Sequence, residues 1–156
     1  MVGTLAKWLR ILGYDTCYDP EMDDHQLVRL ARAEDRVLLT RDRELARRPG
    51  LNTVFLTSES LEAQIGQVLT ELKLEPERSF SRCPVCNEQL AEVDREVARR
   101  RVPEYVARTQ ESFRACPGCH RIYWRGTHWQ SMDEQLARIQ EGQIPSETGE
   151  GPDKKT

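Results

Sequence analysis

The first twelve residues alternate apolar and polar side chains with the period of a helix. Four large apolar residues follow the spacing of one helical stripe. Lys7 and Arg10 are expected to point away from this stripe. Gly13 comes directly after it, where a left-handed residue often ends a helix. The pattern predicts a helix over residues 1–12 with a buried side formed by Leu5, Trp8, Leu9 and Leu12.

Short apolar runs then alternate with amphipathic stretches. Residues 37–40 and 53–57 are rich in apolar and β-branched side chains, which is typical of short buried strands. Tyr14 to Tyr18 is predicted to be a further short strand. Three more helices are predicted, at residues 24–35, 42–48 and 61–72. This alternation favours an α/β fold with a parallel sheet flanked by helices.

Changes in composition divide the chain into three parts. A charged segment with a proline, residues 75–79, separates a first unit, residues 1–75, from a second unit, residues 81–140. The second unit is predicted to contain a strand and a helix, at residues 121–124 and 132–139. Residues 141–156 hold Gly, Pro, Ser and charge without an apolar anchor, so this tail is expected to be disordered.

Composition and charge exclude a membrane protein. The 156 residues have 31% charged side chains, a net charge of −3 and no apolar run near the roughly 20 residues of a membrane span. The start lacks the basic segment and apolar run of a secretory signal. We therefore expect a cytoplasmic protein without membrane contact. The second unit is slightly basic, which makes it the better place for phosphate contacts.

Four of the five cysteines form two Cys-x-x-Cys pairs. Two intervening residues let a tight turn aim both sulfurs at one ion, and two such turns complete a tetrahedral shell. Zinc is favoured in a closed four-sulfur site, although iron fits the same geometry. The rival interpretation is two redox dithiols, but neither pair lies at a strand-to-helix junction. The sequence predicts a buried free thiol at Cys17 and a structural metal site formed by Cys83, Cys86, Cys116 and Cys119.

Three carboxylates of the first unit occupy positions where a ligand or metal ion could bind. Asp42 follows the strand at residues 37–40, and open α/β sheets bind ligands at the carboxyl ends of their strands. Asp23 and Asp24 open the second predicted helix. If the three converge, they can hold Mg²⁺ or Mn²⁺ for phosphodiester cleavage. From pattern alone, helix capping by Asp23 and Asp42, with Asp24 favouring the helix dipole, is the stronger alternative.

Arginine and tryptophan side chains add weaker signals for nucleic acid. Residues 99–101 are three consecutive arginines, which can contact phosphates but more often form a solvated face. Trp8 is expected in the core. Trp124 and Trp129 are expected to pack around the cysteine turns, although exposed indoles can stack on RNA bases.

Taken together, these motifs resemble the Mut-seven C-terminal RNase domain family over about residues 1–135. The resemblance implies a PIN-like nuclease domain followed by a zinc ribbon, and metal-dependent cleavage of RNA. It also implies that Asp42 is the acid of a Thr-Arg-Asp motif, and that Asp24, with Asp23 beside it, is a metal ligand. The matching segments are residues 3–10, 12–16, 38–42, 81–87, 116–119, 121–124 and 126–129.

One departure from the family pattern concerns the start. Members of the family usually begin with a short apolar strand ending in an Asp, and here we expect that strand and one metal ligand to be missing. Either the start is wrongly placed, or the protein is a shortened and catalytically impaired member. The alternative functions are then an RNA-binding or adaptor protein that keeps the zinc ribbon, and a purely structural metal module in a larger assembly.

Overall fold

The computed structural model describes residues 2–75 and 80–140. The predicted linker falls largely outside these residues, at 76–79, and so does the predicted disordered tail at 141–156. Backbone alone is described at residues 127–129 and 140. Within the described ranges, no helix is long and apolar enough to cross a membrane.

Helices and strands alternate along the chain as the apolar pattern predicts. The first part contains α1 (Val2–Ile11), α2 (Asp24–Ala33), β1 (Leu38–Thr40), α3 (Arg43–Ala46), β2 (Thr53–Phe55) and α4 (Leu61–Glu71). The second part contains β3 (Ala91–Val93), α5 (Arg95–Arg99), α6 (Glu104–Thr109), β4 (Phe113–Ala115), β5 (Ile122–Tyr123) and α7 (Thr127–Gln140). Strands β3 and β4 and helices α5 and α6 lack a strong apolar period and were not predicted.

Strands β1 and β2 pair in parallel, with Leu38 opposite Thr53 and Thr40 opposite Phe55. Helix α1 packs on the same core as the sheet and α4, because its apolar stripe is buried as predicted. Leu5 and Leu12 are fully buried, and Trp8 packs against the cluster. The predicted α/β class with a parallel sheet and flanking helices is confirmed.

The chain leaves helix α1 through a left-handed cap. Gly13 has φ +102°, which costs a glycine little. The Tyr14 amide donates to the Leu9 carbonyl at 3.0 Å, and the Gly13 amide to the Arg10 carbonyl at 3.0 Å. These two bonds form a Schellman-type ending, so the predicted cap is confirmed.

Two expectations for the region around the end of α1 are wrong. Tyr14 to Tyr18 forms no strand, because its backbone bonds a side chain and the helix end rather than a neighbouring strand. Cys17 in this segment is exposed rather than buried. Arg10, which lies off the apolar stripe, is nevertheless buried, since the loop that carries the first cysteine pair covers that side of α1.

The second part of the chain is built on an antiparallel sheet in the order β3-β4-β5. Helices α5 and α6 lie in the long segment between the two cysteine pairs, and they pack on each other. Their small core contains Ala98, Val106 and Phe113, with Trp124 against it. The four cysteines lie beside this sheet, an arrangement consistent with a zinc ribbon.

Helix α7 follows the ribbon in sequence but packs on the first part of the chain. Leu136 and Ile139 are buried in the same cluster as Leu5, Val54 and Ile65. Helix α4 is the main neighbour of α7. The two parts therefore share a core. The domain boundaries at residues 75 and 81 stay a prediction made from the sequence.

Candidate metal centre and acidic cleft

The two cysteine pairs form nearly identical turns, called here the first knuckle (residues 83–87) and the second knuckle (residues 116–120). In each, the amide of the second cysteine donates to the sulfur of the first at 3.4 Å. The following residue donates its amide to the carbonyl of the first cysteine at 2.8 Å. That residue, Asn87 or His120, has a left-handed backbone, with φ +67° and +64°. Both turns therefore present their sulfurs in the same way.

The four sulfurs have the spacing of a tetrahedral metal site. They all lie within 4.8 Å of one another, and the Sγ atoms of Cys83 and Cys119 are 3.8 Å apart. A tetrahedron with Zn–S bonds of about 2.3 Å has sulfurs about 3.8 Å apart. Disulfide sulfurs are separated by only about 2.05 Å, so this geometry fits one metal ion rather than crosslinks. Cys83 and Cys116 are buried.

Two neighbouring side chains compensate the negative charge of the sulfurs. The Tyr123 hydroxyl lies 3.0 Å from the Cys83 sulfur, and burial together with this contact raises the pKa of Tyr123. The amide and guanidinium of Arg121 lower the pKa of the Cys119 thiol to about 6. Hydrogen bonding to that sulfur raises the pKa of Cys86 to about 12. Sequence patterns identified these two supporting residues only as members of the predicted strand at residues 121–124.

A cavity of about 530 Å³ lies along β1 and α1 with a mostly apolar lining, and we call it the acidic cleft after the four aspartates that also line it. Asp24 and Asp42 both line it, as do Asp15 and Asp19. Asp24 is the first residue of α2 and Asp42 is the N-cap of α3, so both helices begin beside this cavity.

Capping explains the local geometry of two of the three predicted carboxylates. Asp23 is the N-cap of α2, in a capping box with Gln26. Asp42 is the N-cap of α3, and its Oδ1 accepts from the amides of Glu44 and Leu45 at 2.8 and 3.1 Å. Among the described residues, the cysteine group is the one that gathers three or more possible ligand atoms within 4.8 Å. Asp24 and Asp42 line the cleft without forming a closed cluster, and Asp23 is not part of its lining.

Asp15 belongs to a network that joins the cleft to the first knuckle. Arg36 contacts both of its carboxylate oxygens at 3.1 Å, and the side-chain Nδ2 of Asn87 donates to Oδ1 at 2.6 Å. These bonds lower the pKa of Asp15 below its usual range, with Arg36 the larger cause. Sequence reasoning missed this network, because residues 15, 36 and 87 are far apart in the chain.

The arginine run and the tryptophans, which were weaker indications of nucleic-acid binding, lie in different surroundings. Arg99 to Arg101 are exposed, but Arg99 pairs with Glu96 and Arg101 donates to the His120 carbonyl. Trp124 packs against the small core beside the ribbon. The side chain of Trp129 lies outside the described residues, so its predicted packing stays a prediction.

Comparison with known proteins adds one finding about the whole chain. The family model described as the Mut7-C RNAse domain matches residues 1–136 of the 156. No curated protein and no solved structure matches. The match spans both the acidic cleft and the four-cysteine site, and it confirms the resemblance seen in the sequence motifs. The chain belongs to the Mut7-C RNAse domain family.

Proposed function

We propose that this protein is a metal-dependent ribonuclease that hydrolyses RNA phosphodiester bonds in the acidic cleft. The observation that carries the proposal is that Asp24 and Asp42 line one cavity along β1, in a chain of an RNase-domain family. Zinc, held by Cys83, Cys86, Cys116 and Cys119, has a structural role because four protein sulfurs fill its shell.

The chemistry of the cleft oxygens suits Mg²⁺ or Mn²⁺. Both amide bonds to Asp42 end on Oδ1, which leaves Oδ2 as the oxygen that faces a ligand. Within the described part of the chain, no side chain donates to the Asp24 carboxylate. Carboxylate oxygens are the ligands these hard cations prefer. The bound cation positions water and stabilises charge on the phosphate.

Other residues of the cleft supply positive charge and support. Arg41 lines the cleft next to Asp42 and pairs with the exposed Glu59 at 3.5 Å. Its Nε is buried and has no hydrogen-bond partner among the described residues, so a phosphate oxygen entering the cleft is a suitable acceptor. Asp23 completes the acidic pair that opens α2, and its cap fixes the start of the helix on which Asp24 lies.

The test is cleavage of single-stranded RNA by the zinc-loaded chain in the presence of Mn²⁺. We expect Asp24→Asn and Asp42→Asn each to lower the rate by about 100-fold or more, since each removes a charged ligand. Asn is also a good N-cap, so Asp42→Asn keeps the start of α3. Asp94→Asn is the matched control, because Asp94 caps α5 in the same way in the ribbon part. Equal activity of all four proteins contradicts the proposal.

A second candidate function is RNA binding without cleavage. It is favoured by the absence, among the described residues, of a carboxylate group as tight as the cysteine group. Under this alternative the chain binds single-stranded RNA, no variant changes the rate of cleavage, and Mn²⁺ adds nothing to affinity. The same set of proteins therefore distinguishes the two functions.

A further inference from the structure

Arg10 is a buried charge that joins helix α1 to the first knuckle. Only 7% of the residue is exposed. Its Nη1 donates to the Pro84 carbonyl at 2.7 Å, with the Val85 carbonyl at 3.4 Å, and its Nε donates to the Thr16 carbonyl at 2.8 Å. A buried guanidinium is costly unless its donors are satisfied. The carbonyls of the first knuckle therefore have a fixed place against α1.

Asn87, the last residue of the first knuckle, makes the second connection. Its Oδ1 accepts from the Thr16 amide at 3.0 Å, and its Nδ2 donates to Asp15 at 2.6 Å. The backbone at Asn87 is left-handed, and Arg82 donates to its carbonyl at 2.7 Å. One side chain thus bonds two consecutive residues of the loop after α1.

That loop, residues 14–19, forms one wall of the acidic cleft, and we call it the cleft-wall loop. It has no helix or strand of its own to hold it. Its anchors are the cap at Tyr14, the Arg36 pair on Asp15, and the bonds from Arg10 and Asn87. Two of these anchors involve the first knuckle, because Asn87 belongs to it and Arg10 binds its carbonyls.

We propose that Arg10 and Asn87 are positioning residues that hold the cleft-wall loop against the first knuckle, so that the metal ion bound by the four cysteines fixes one wall of the cleft. The backbone amide of Asn87 donates to the Cys83 carbonyl. The turn conformation that places the Asn87 side chain is therefore the same one that presents the sulfurs to the metal. Metal binding and the folding of such turns are linked. That this cleft is an active site rests on the proposed function, whereas the mechanical link does not.

The second knuckle supplies a matched control. His120 occupies the position equivalent to Asn87, with the same backbone conformation. Its carbonyl bonds Arg101 of the ribbon part rather than the cleft-wall loop. Glycine tolerates both left-handed positions, so Asn87→Gly and His120→Gly remove the two side chains without backbone strain.

The experiment is amide hydrogen exchange of the full zinc-loaded chain, followed at Thr16 and at β1, with metal content measured in the same samples. In Asn87→Gly we expect exchange at Thr16 to be at least about tenfold faster, the effect of losing one hydrogen bond. Exchange at β1 and the zinc content stay unchanged. His120→Gly leaves the Thr16 rate unchanged. Removing zinc from the unaltered protein with a chelator accelerates amide exchange at Thr16 as much as Asn87→Gly does.

Arg10→Lys provides a second variant, because a lysine keeps the charge but cannot bond the Thr16 and Pro84 carbonyls together. The proposal is overturned if Thr16 keeps its protection in Asn87→Gly and Arg10→Lys, or if His120→Gly has the same effect. It is also overturned if Thr16 and β1 lose protection together in both variants, since these residues then support the whole fold. None of these readouts uses RNA, so a chain that cleaves no RNA leaves this proposal standing.

Discussion

At the residue scale, helical periodicity predicted the apolar side of α1 but not the role of Arg10. The positions of Leu5, Leu9 and Leu12 are local properties of a helix, and all three are buried. Arg10 lies off that stripe, and its burial depends on a loop more than 70 residues later in the chain. A local sequence pattern does not contain this partner, so it did not indicate that Arg10 is buried.

Asp15 gives a prediction for pH. Its pKa is lowered in the folded protein by Arg36 and Asn87, so its ionised form stabilises the fold above the ordinary carboxyl pKa of 3.8. That stabilisation is lost as the pH falls through the lower, folded value. Urea unfolding should therefore show Asp15→Asn to be less stable than the unaltered chain at pH 7, with the difference shrinking as the pH falls below 3.8. Asp35→Asn, at an exposed carboxylate, is the control, and a difference that persists at low pH contradicts the assignment.

At the element scale, the caps were predictable because they depend on residues close in sequence. Asp23 with Gln26 forms the expected capping box, and Asp42 caps α3. The predicted strand at residues 14–18 failed for the opposite reason. A strand needs a neighbour, and here a side-chain oxygen of Asn87 takes the place of one. A short apolar run cannot reveal whether a partner strand exists.

Cap and ligand roles of Asp42 can be separated by two substitutions. Asp42→Ala removes the cap and should cost about 1 kcal/mol in the free energy of unfolding, while Asp42→Asn should cost a few tenths. Asp94→Ala should cost as much as Asp42→Ala, since Asp94 caps α5 through a similar amide bond. Urea titration of the three variants and the unaltered chain measures these differences. A cost of several kcal/mol for Asp42→Asn alone would mean that its charge supports the fold rather than a ligand.

At the scale of the whole molecule, sequence composition suggested two separate units, but the core is shared. Helix α7 brings Leu136 and Ile139 into the cluster of α1 and α4. The first knuckle also bonds α1 and the cleft-wall loop. The cysteine spacing was sufficient to predict the metal site, because a Cys-x-x-Cys turn is local. How that site joins the cleft depends on long-range contacts, which spacing does not encode.

The metal content tests this organisation. Purified protein is expected to carry about one zinc ion per chain. Combined substitution Cys83→Ser and Cys116→Ser should abolish binding and remove hydrogen-exchange protection from the antiparallel sheet, because metal binding and folding are linked there. Cys17→Ser, at the exposed cysteine outside the cluster, should keep its zinc. Elemental analysis checks all three proteins, and a wild-type chain without zinc or iron under reducing conditions contradicts the site.

The most direct test of the central claim is the binding of Mn²⁺ to the acidic cleft of the zinc-loaded chain, measured by electron paramagnetic resonance. We expect the unaltered protein and Asp94→Asn to remove the signal of free Mn²⁺ with the same affinity. We expect Asp24→Asn and Asp42→Asn each to weaken binding at least about tenfold, because each loses a charged oxygen ligand. Equal Mn²⁺ affinity in all four proteins, or no binding in any of them, would contradict the assignment of Asp24 and Asp42 as metal ligands.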